Sequence, residues 1–165
     1  MDTRTALKRQ YHAALAMLRD AIEKCPEDLW DDGDAHDVPF WRVAYHTLYF
    51  THLYLHPSLD AFRPWAHHRE DFHDLPWPPG SGTRITNPYS KAQVVEYWSI
   101  VDGFVDGAVD RMDLDGLSGI PWHATMPKLE HQLHNLRHIA HHTGILSGRI
   151  RAATGALVEW VRPKP

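Results

Sequence analysis

Five histidines fall within Glu130–Arg151, EHQLHNLRHIAHHTGILSGRIR: His131, His134, His138, His141 and His142. On a helix, residues four apart sit one above the other with Cβ atoms roughly 6 Å apart. His134/His138 and His138/His142 each have that spacing, so either pair can close on one cation at about 2.0–2.1 Å per imidazole. His141 lies about 100° round from its neighbour and cannot join the same pair. A third ligand must come from another element, at a position that otherwise belongs to a core. His46 fits: in FWRVAYHTLYFTHLYL it shares a helical face with Val43, Phe50 and Leu53, which turns it inward, while His52 points elsewhere. Three neutral imidazoles leave a coordination position open, the layout of a catalytic rather than a structural metal centre.

The other polar groups receive plainer expectations. His134 is the reserve ligand, and His131 and His141 are expected at the surface. His67, His68 and His73 are expected in solvent, and Asp102 and Asp106 on a wet helix face. The tryptophans, Trp41, Trp98 and Trp122 among them, are expected in the core or at its rim. A hydrolytic mechanism would draw a general acid or base from carboxylates such as Glu96, Asp102 or Glu130. Imidazole donors suit zinc, nickel, copper and iron. With ordinary imidazoles, titrating at about 6.5, metal affinity should fall below about pH 6.

Four helices position these groups. Thr3–Lys24 spaces Leu7, Tyr11, Leu15, Leu18 and Ile22 along one stripe and is stopped by Pro26. The turn-rich acidic link Glu27–Pro39 leads to Phe40–Leu55, an apolar segment too long for a strand. His56–Pro88 holds six of the 12 prolines and a PPGSG turn cluster, so no long helix runs through it. A crossover of this length is functional or mobile in most compact domains. Ser90–Met112 restores helical spacing through Val94, Tyr97, Val101, Phe104 and Val105, with Ser90 as its cap. Asp113–Pro121 links to a last helix over roughly Thr125–Thr154, stopped by Gly155. The last helix carries two stripes. Leu129, Leu133, Leu136, Ala140, Thr143 and Ile150 read as its packing face. His138, His142, Ile145 and Arg149 lie opposite, with Leu146 at the edge. A two-faced helix suggests a subunit contact, hence a homodimer.

The fold class expected is all-α: one domain over residues 1–165, a four-helix bundle with a long crossover between the second and third helices. The short links make the first and second helices, and the third and fourth, antiparallel neighbours. Seventeen Lys plus Arg against 21 Asp plus Glu give a net charge of −4. Nucleic-acid affinity comes mainly from neutralised phosphates, so nucleic acid is excluded as a partner. A single cysteine, Cys25, gives no internal disulfide and no thiolate metal cluster. With no long apolar run and a polar N-terminus, no membrane span or signal segment is expected, and the chain reads as cytoplasmic.

NLRHIAHHTGIL, residues 135–146, resembles the last-helix motif RHxxHHxGQL of the DinB-like (DinB/YfiT) metalloenzymes, and RVAYHTLYFTHLYL matches the family's helix-2 histidine position. The resemblance covers the chain in helix order and length, with sharp motifs over some twenty residues. It implies helices in up-down-down-up order and a divalent site, zinc or nickel, on His46, His138 and His142. It favours His142 over His134 because the family's last ligand immediately precedes the x-Gly pair, here Thr143-Gly144. It further implies a small-molecule substrate and a low-molecular-weight thiol in an S-transfer. The alternatives are a metal-dependent hydrolase or a non-catalytic metal- or ligand-binding bundle. Ile145 stands where the family has glutamine, so the amide hydrogen bond of that position is missing.

Overall fold

A computed structural model describes residues 2–33, 38–76, 81 and 84–162. Apart from Ser81, the PPGSG cluster lies outside these residues, as does part of the acidic link before Phe40. The described residues are all-helical, with no strand beyond one isolated bridge between Leu117 and Pro127. Four long helices, α1 (Thr3–Lys24), α3 (Phe40–Leu55), α4 (Lys91–Arg111) and α5 (Lys128–Thr154), are joined by a single turn, α2 (Glu27–Trp30), and a 3₁₀ turn at Pro121–His123. Among them, no helix is long and apolar enough to cross a membrane.

Local chemistry sets the ends. Asp2 caps α1 by accepting from the Thr5 N–H at 2.9 Å. Ser90 and Gln93 form a reciprocal capping box at the start of α4. Gly155 ends α5 at φ +75°, left-handed backbone that glycine adopts without a Cβ clash.

Each long helix packs on two others. α1 lies against α4 and α5, and α3 lies against the same two. The helices joined by the shorter links therefore do not pair as expected: α1 touches α3 only at the margin, and α4 and α5 are not well packed together. Contacts between α1 and α4 run in reverse order: Lys8 with Asp110, His12 with Asp102, the Trp98 indole with the Leu15 carbonyl, and Lys91 with the Cys25 carbonyl. Between α3 and α5 they also reverse, from Arg149 with the Val38 carbonyl to Gln132 with that of Tyr54.

The expected packing face of α5 is buried only in part: Thr143 and Ile150 are buried, and Leu129 and Leu136 pack against the core. Leu133 is 56% exposed and Ala140 faces solvent, whereas Lys128, His131, Gln132, Asn135, Ile139, His142, Thr143, Leu146 and Ile150 are buried. Hydrogen bonding explains how a polar face turns inward. Lys128 Nζ donates to the carbonyls of His56, Pro57 and Ser118. Gln132 donates to the Tyr54 carbonyl at 3.1 Å and accepts from the Tyr11 hydroxyl at 2.8 Å. Asn135 donates to the Thr51 carbonyl at 3.3 Å. Burial of a polar group costs little once it is bonded, so α5 docks on the main chain of α3 through its side chains.

The described part of the crossover packs against the bundle. Phe62, Trp65 and Tyr89 are buried, and Trp65 stacks on Tyr97 of α4 with centroids 5.0 Å apart. The Trp30 indole donates to the Tyr89 carbonyl at 2.8 Å, pinning α2 to the far end of the crossover.

Candidate metal centre

α3 and α5 bring His46, His138 and His142 together. One potential ligand atom from each lies within 4.8 Å of the others, so the three could hold a metal ion. The ring centroids stand 5.0 Å (His46–His138), 4.7 Å (His46–His142) and 4.6 Å (His138–His142) apart. His46 Nε2 and His138 Nε2 are separated by 3.0 Å. Two nitrogens on a tetrahedral zinc, each at about 2.05 Å, are about 3.3 Å apart, so this edge of the triad needs only a few tenths of an ångström of adjustment.

His46 is oriented from outside the helix pair. Its Nδ1 lies 2.7 Å from the backbone carbonyl of His73, in the crossover. A carbonyl only accepts, so Nδ1 carries the proton and Nε2 presents its lone pair to the centre. Metal-ligating histidines are held this way by an outer partner that fixes tautomer and ring angle. His138 Nδ1 and His142 Nδ1 are buried without a hydrogen-bond partner. On His138 that atom is the ring nitrogen on the side away from His46, so the donors a cation would take on this edge are the facing Nε2 atoms of His46 and His138.

Electrostatics match. Burial first, with the His73 hydrogen bond opposing it, pushes the His46 imidazole down to about 4. Burial, and then repulsion from His46 and His142, takes His138 to about 2; burial and the neighbouring rings take His142 to about 3. All three are neutral at physiological pH, the state that binds metal. Phe50 packs its ring 4.8 Å from His46 and 6.0 Å from His138. The His73 ring stacks on Tyr49 at 4.0 Å, and the His68 ring stacks on the same Tyr49 ring at 5.1 Å.

Several expectations are corrected. His68 and His73 are not simply solvated: they lie half-buried in that aromatic stack, and the Tyr45 hydroxyl meets His68 Nδ1 at 2.7 Å. His131 is fully buried, because the face carrying it is the docking face. His134 sits with His123 and His131 rather than at the triad, and His141 is exposed, as expected. Asp102 and Asp106 bind His12 at 2.7 and 3.2 Å on the α1–α4 side. Glu96 accepts from the Trp65 indole at 3.4 Å, and Glu130 is exposed. The carboxylate whose charge acts on His46 is instead Asp74. Sequence reasoning missed Asp74 and the His73 carbonyl, since both arrive through an irregular segment with no periodicity to read. Trp41 is fully buried, Trp98 half-buried and Trp122 53% exposed.

No protein-family model, curated protein or solved structure matches the chain. What the described residues define is an all-helical fold with three converging imidazoles that could hold a metal ion.

Proposed function

We propose that the chain is a divalent-metal-dependent enzyme of the DinB-like kind, with zinc or nickel on His46, His138 and His142 and a low-molecular-weight thiol as co-substrate of an S-transfer. The observation that carries this reading is the meeting of three neutral, largely buried imidazoles, one of them fixed by a backbone carbonyl. When bound, a divalent cation supplies Lewis acidity that lowers the pKa of a coordinated thiol or water. The chain's own residues do the rest. The His73 carbonyl aims His46, and Phe50 walls the centre against water on one side. Arg42, one turn before His46, places a positive charge whose field reaches that imidazole and favours an anionic sulfur over a neutral one. The reversed contacts of α1 with α4 and of α3 with α5 support the finer architecture proposed with it, a four-helix bundle in up-down-down-up order. Exposed Leu133 and Trp160 support a homodimer.

Turnover assays with a panel of thiols and electrophiles, on protein of measured metal content, test the proposal. Thiol-dependent turnover that disappears in His46→Ala is expected; stoichiometric metal without any thiol-dependent turnover would refute the S-transfer. Hydrolysis is the second reading, favoured by Asp74, whose charge reaches both His46 and Arg42. Turnover of esters or amides lost in Asp74→Asn would select it.

A further inference from the structure

A second group of imidazoles stands further along α5, and the function proposed above makes no use of it. His131 and His134 are three apart on the helix, and His123 of the Pro121–His123 turn faces both. Their ring centroids are 4.9 Å (His123–His131), 4.9 Å (His123–His134) and 6.1 Å (His131–His134) apart. Tyr54 packs against His131 at 4.4 Å and stands between this group and His138, 6.5 Å away.

The buried member is the informative one. His131 has no solvent exposure, and its Nδ1 lies 3.0 Å from the Ser118 hydroxyl. That hydroxyl is itself fixed, accepting from the Ile120 N–H at 3.2 Å. His131 Nε2 is buried with no hydrogen-bond partner. An unpaired buried nitrogen loses its hydration with nothing in return, and such atoms are rare in folded proteins. As with His46, one ring nitrogen is held by an outer partner; the second nitrogen of His46 faces His138 Nε2 at 3.0 Å, whereas His131 Nε2 has no partner among the described residues. His123 and His134 are only partly buried, and the recorded hydrogen bond of His134 is a surface contact at 3.2 Å with Arg137. Among the described residues only the first triad has one ligand atom from each ring within 4.8 Å of the others, so closing this second group on a cation requires the partly buried His123 and His134 rings to turn towards His131.

We propose that His123, His131 and His134 form a second cation site, which clamps the Pro121–His123 turn onto α5. Donors that are all imidazole select zinc, nickel or copper over magnesium or calcium. The offset of seven positions from His131 to His138 places it about 10 Å along α5 from the first centre, too far for a shared two-metal site, whose ions lie about 4 Å apart. The site stands or falls independently of the enzymatic reading.

Zinc titrated into the tag-free full chain by calorimetry tests this. Two equivalents are expected in the unaltered protein. The double substitution His123→Ala/His134→Ala, at partly exposed positions, should remove the second equivalent or weaken it at least about tenfold while leaving the first. His138→Ala/His142→Ala should do the reverse. Binding of one equivalent or none by the unaltered chain, or a second equivalent that survives His123→Ala/His134→Ala, overturns the proposal. Nitrogen-15 spectra of the histidine side chains give a readout that needs no substitution. The second equivalent must move the His131 Nε2 resonance, and shifts confined to exposed rings such as His67 and His141 overturn the site.

Discussion

Acidify a solution of the zinc-loaded protein from about pH 8 to about pH 5, and the first centre should keep its metal almost undiminished. Protons compete for each ligand by a factor of one plus ten to the power of pKa minus pH. Three solvent-exposed imidazoles, titrating at about 6.5, would each lose about thirtyfold at about pH 5, or roughly 3 × 10⁴ together, some 6 kcal/mol. Burial changes the arithmetic. With His46 brought down to about 4, and His138 and His142 to about 2 and 3, only His46 competes measurably. The combined factor is about 1.1, well under 1 kcal/mol. The loss below about pH 6 that ordinary imidazoles would give is therefore displaced to about pH 4 and lower, because the rings are desolvated. Calorimetric titration with zinc at several pH values, corrected for buffer ionisation, measures this directly, with His46→Ala as the control that abolishes the site. A fall in affinity of more than about a hundredfold between about pH 7 and about pH 5 would show that the imidazoles titrate as exposed groups and would refute the reasoning.

The metal-free protein should respond to acid in the opposite manner. His46, His52, His131, His138 and His142 are all depressed by burial, so the unfolded chain binds more protons than the native one below about 6.5. Stability is complete above that value and is lost as the pH falls towards the folded-state values. His46 alone contributes about 2 kcal/mol of loss by about pH 5, and thermal melts that stay flat from pH 7 to pH 4.5 would contradict it. Lys128→Met removes the donor to three carbonyls and should cost about 3–5 kcal/mol in urea unfolding. A loss below 1 kcal/mol would mean that those carbonyls find other partners. Gln132→Ala removes the donor to the Tyr54 carbonyl and the nearer acceptor of the Tyr11 hydroxyl, which keeps only the longer contact to the residue-132 carbonyl at 3.4 Å, for a loss of about 1–3 kcal/mol by the same measurement. Gly119→Ala puts a Cβ 2.0 Å from the Pro57 carbonyl oxygen at φ +74°, so a stable fold with an unshifted link is not expected; unchanged melting of that variant would show that the link yields freely.

Much of the scaffold is visible in the sequence. The stripe of Leu7, Tyr11, Leu15, Leu18 and Ile22 gives α1 with its observed bounds, and proline and serine punctuation places the starts of α3 and α4. His46 stands out because it interrupts an otherwise apolar stripe. On α5 the same rule misleads at two positions: treating apolar residues as inward assigns Leu133 and Ala140 to the core, where both are exposed. The real inward face is polar, matched to carbonyls that no periodicity records. Helix adjacency also escaped, because a short link constrains the distance between helix ends but not which diagonal of the bundle they occupy. The crossover hid its contribution most completely, since what it offers His46 is a carbonyl, a group every residue carries.

The docking of α5 on main-chain oxygens makes the two partners unequal under mutation. Substitutions at Thr51, Tyr54 or His56 change side chains but keep the acceptor that each residue offers. Lys128, Gln132 and Asn135 have no such freedom, since each supplies its donor from the side chain itself. Drift along this seam should therefore be recorded on α3 and resisted on α5, and libraries that vary the α3 side of the seam should return far more folded members than those that vary α5.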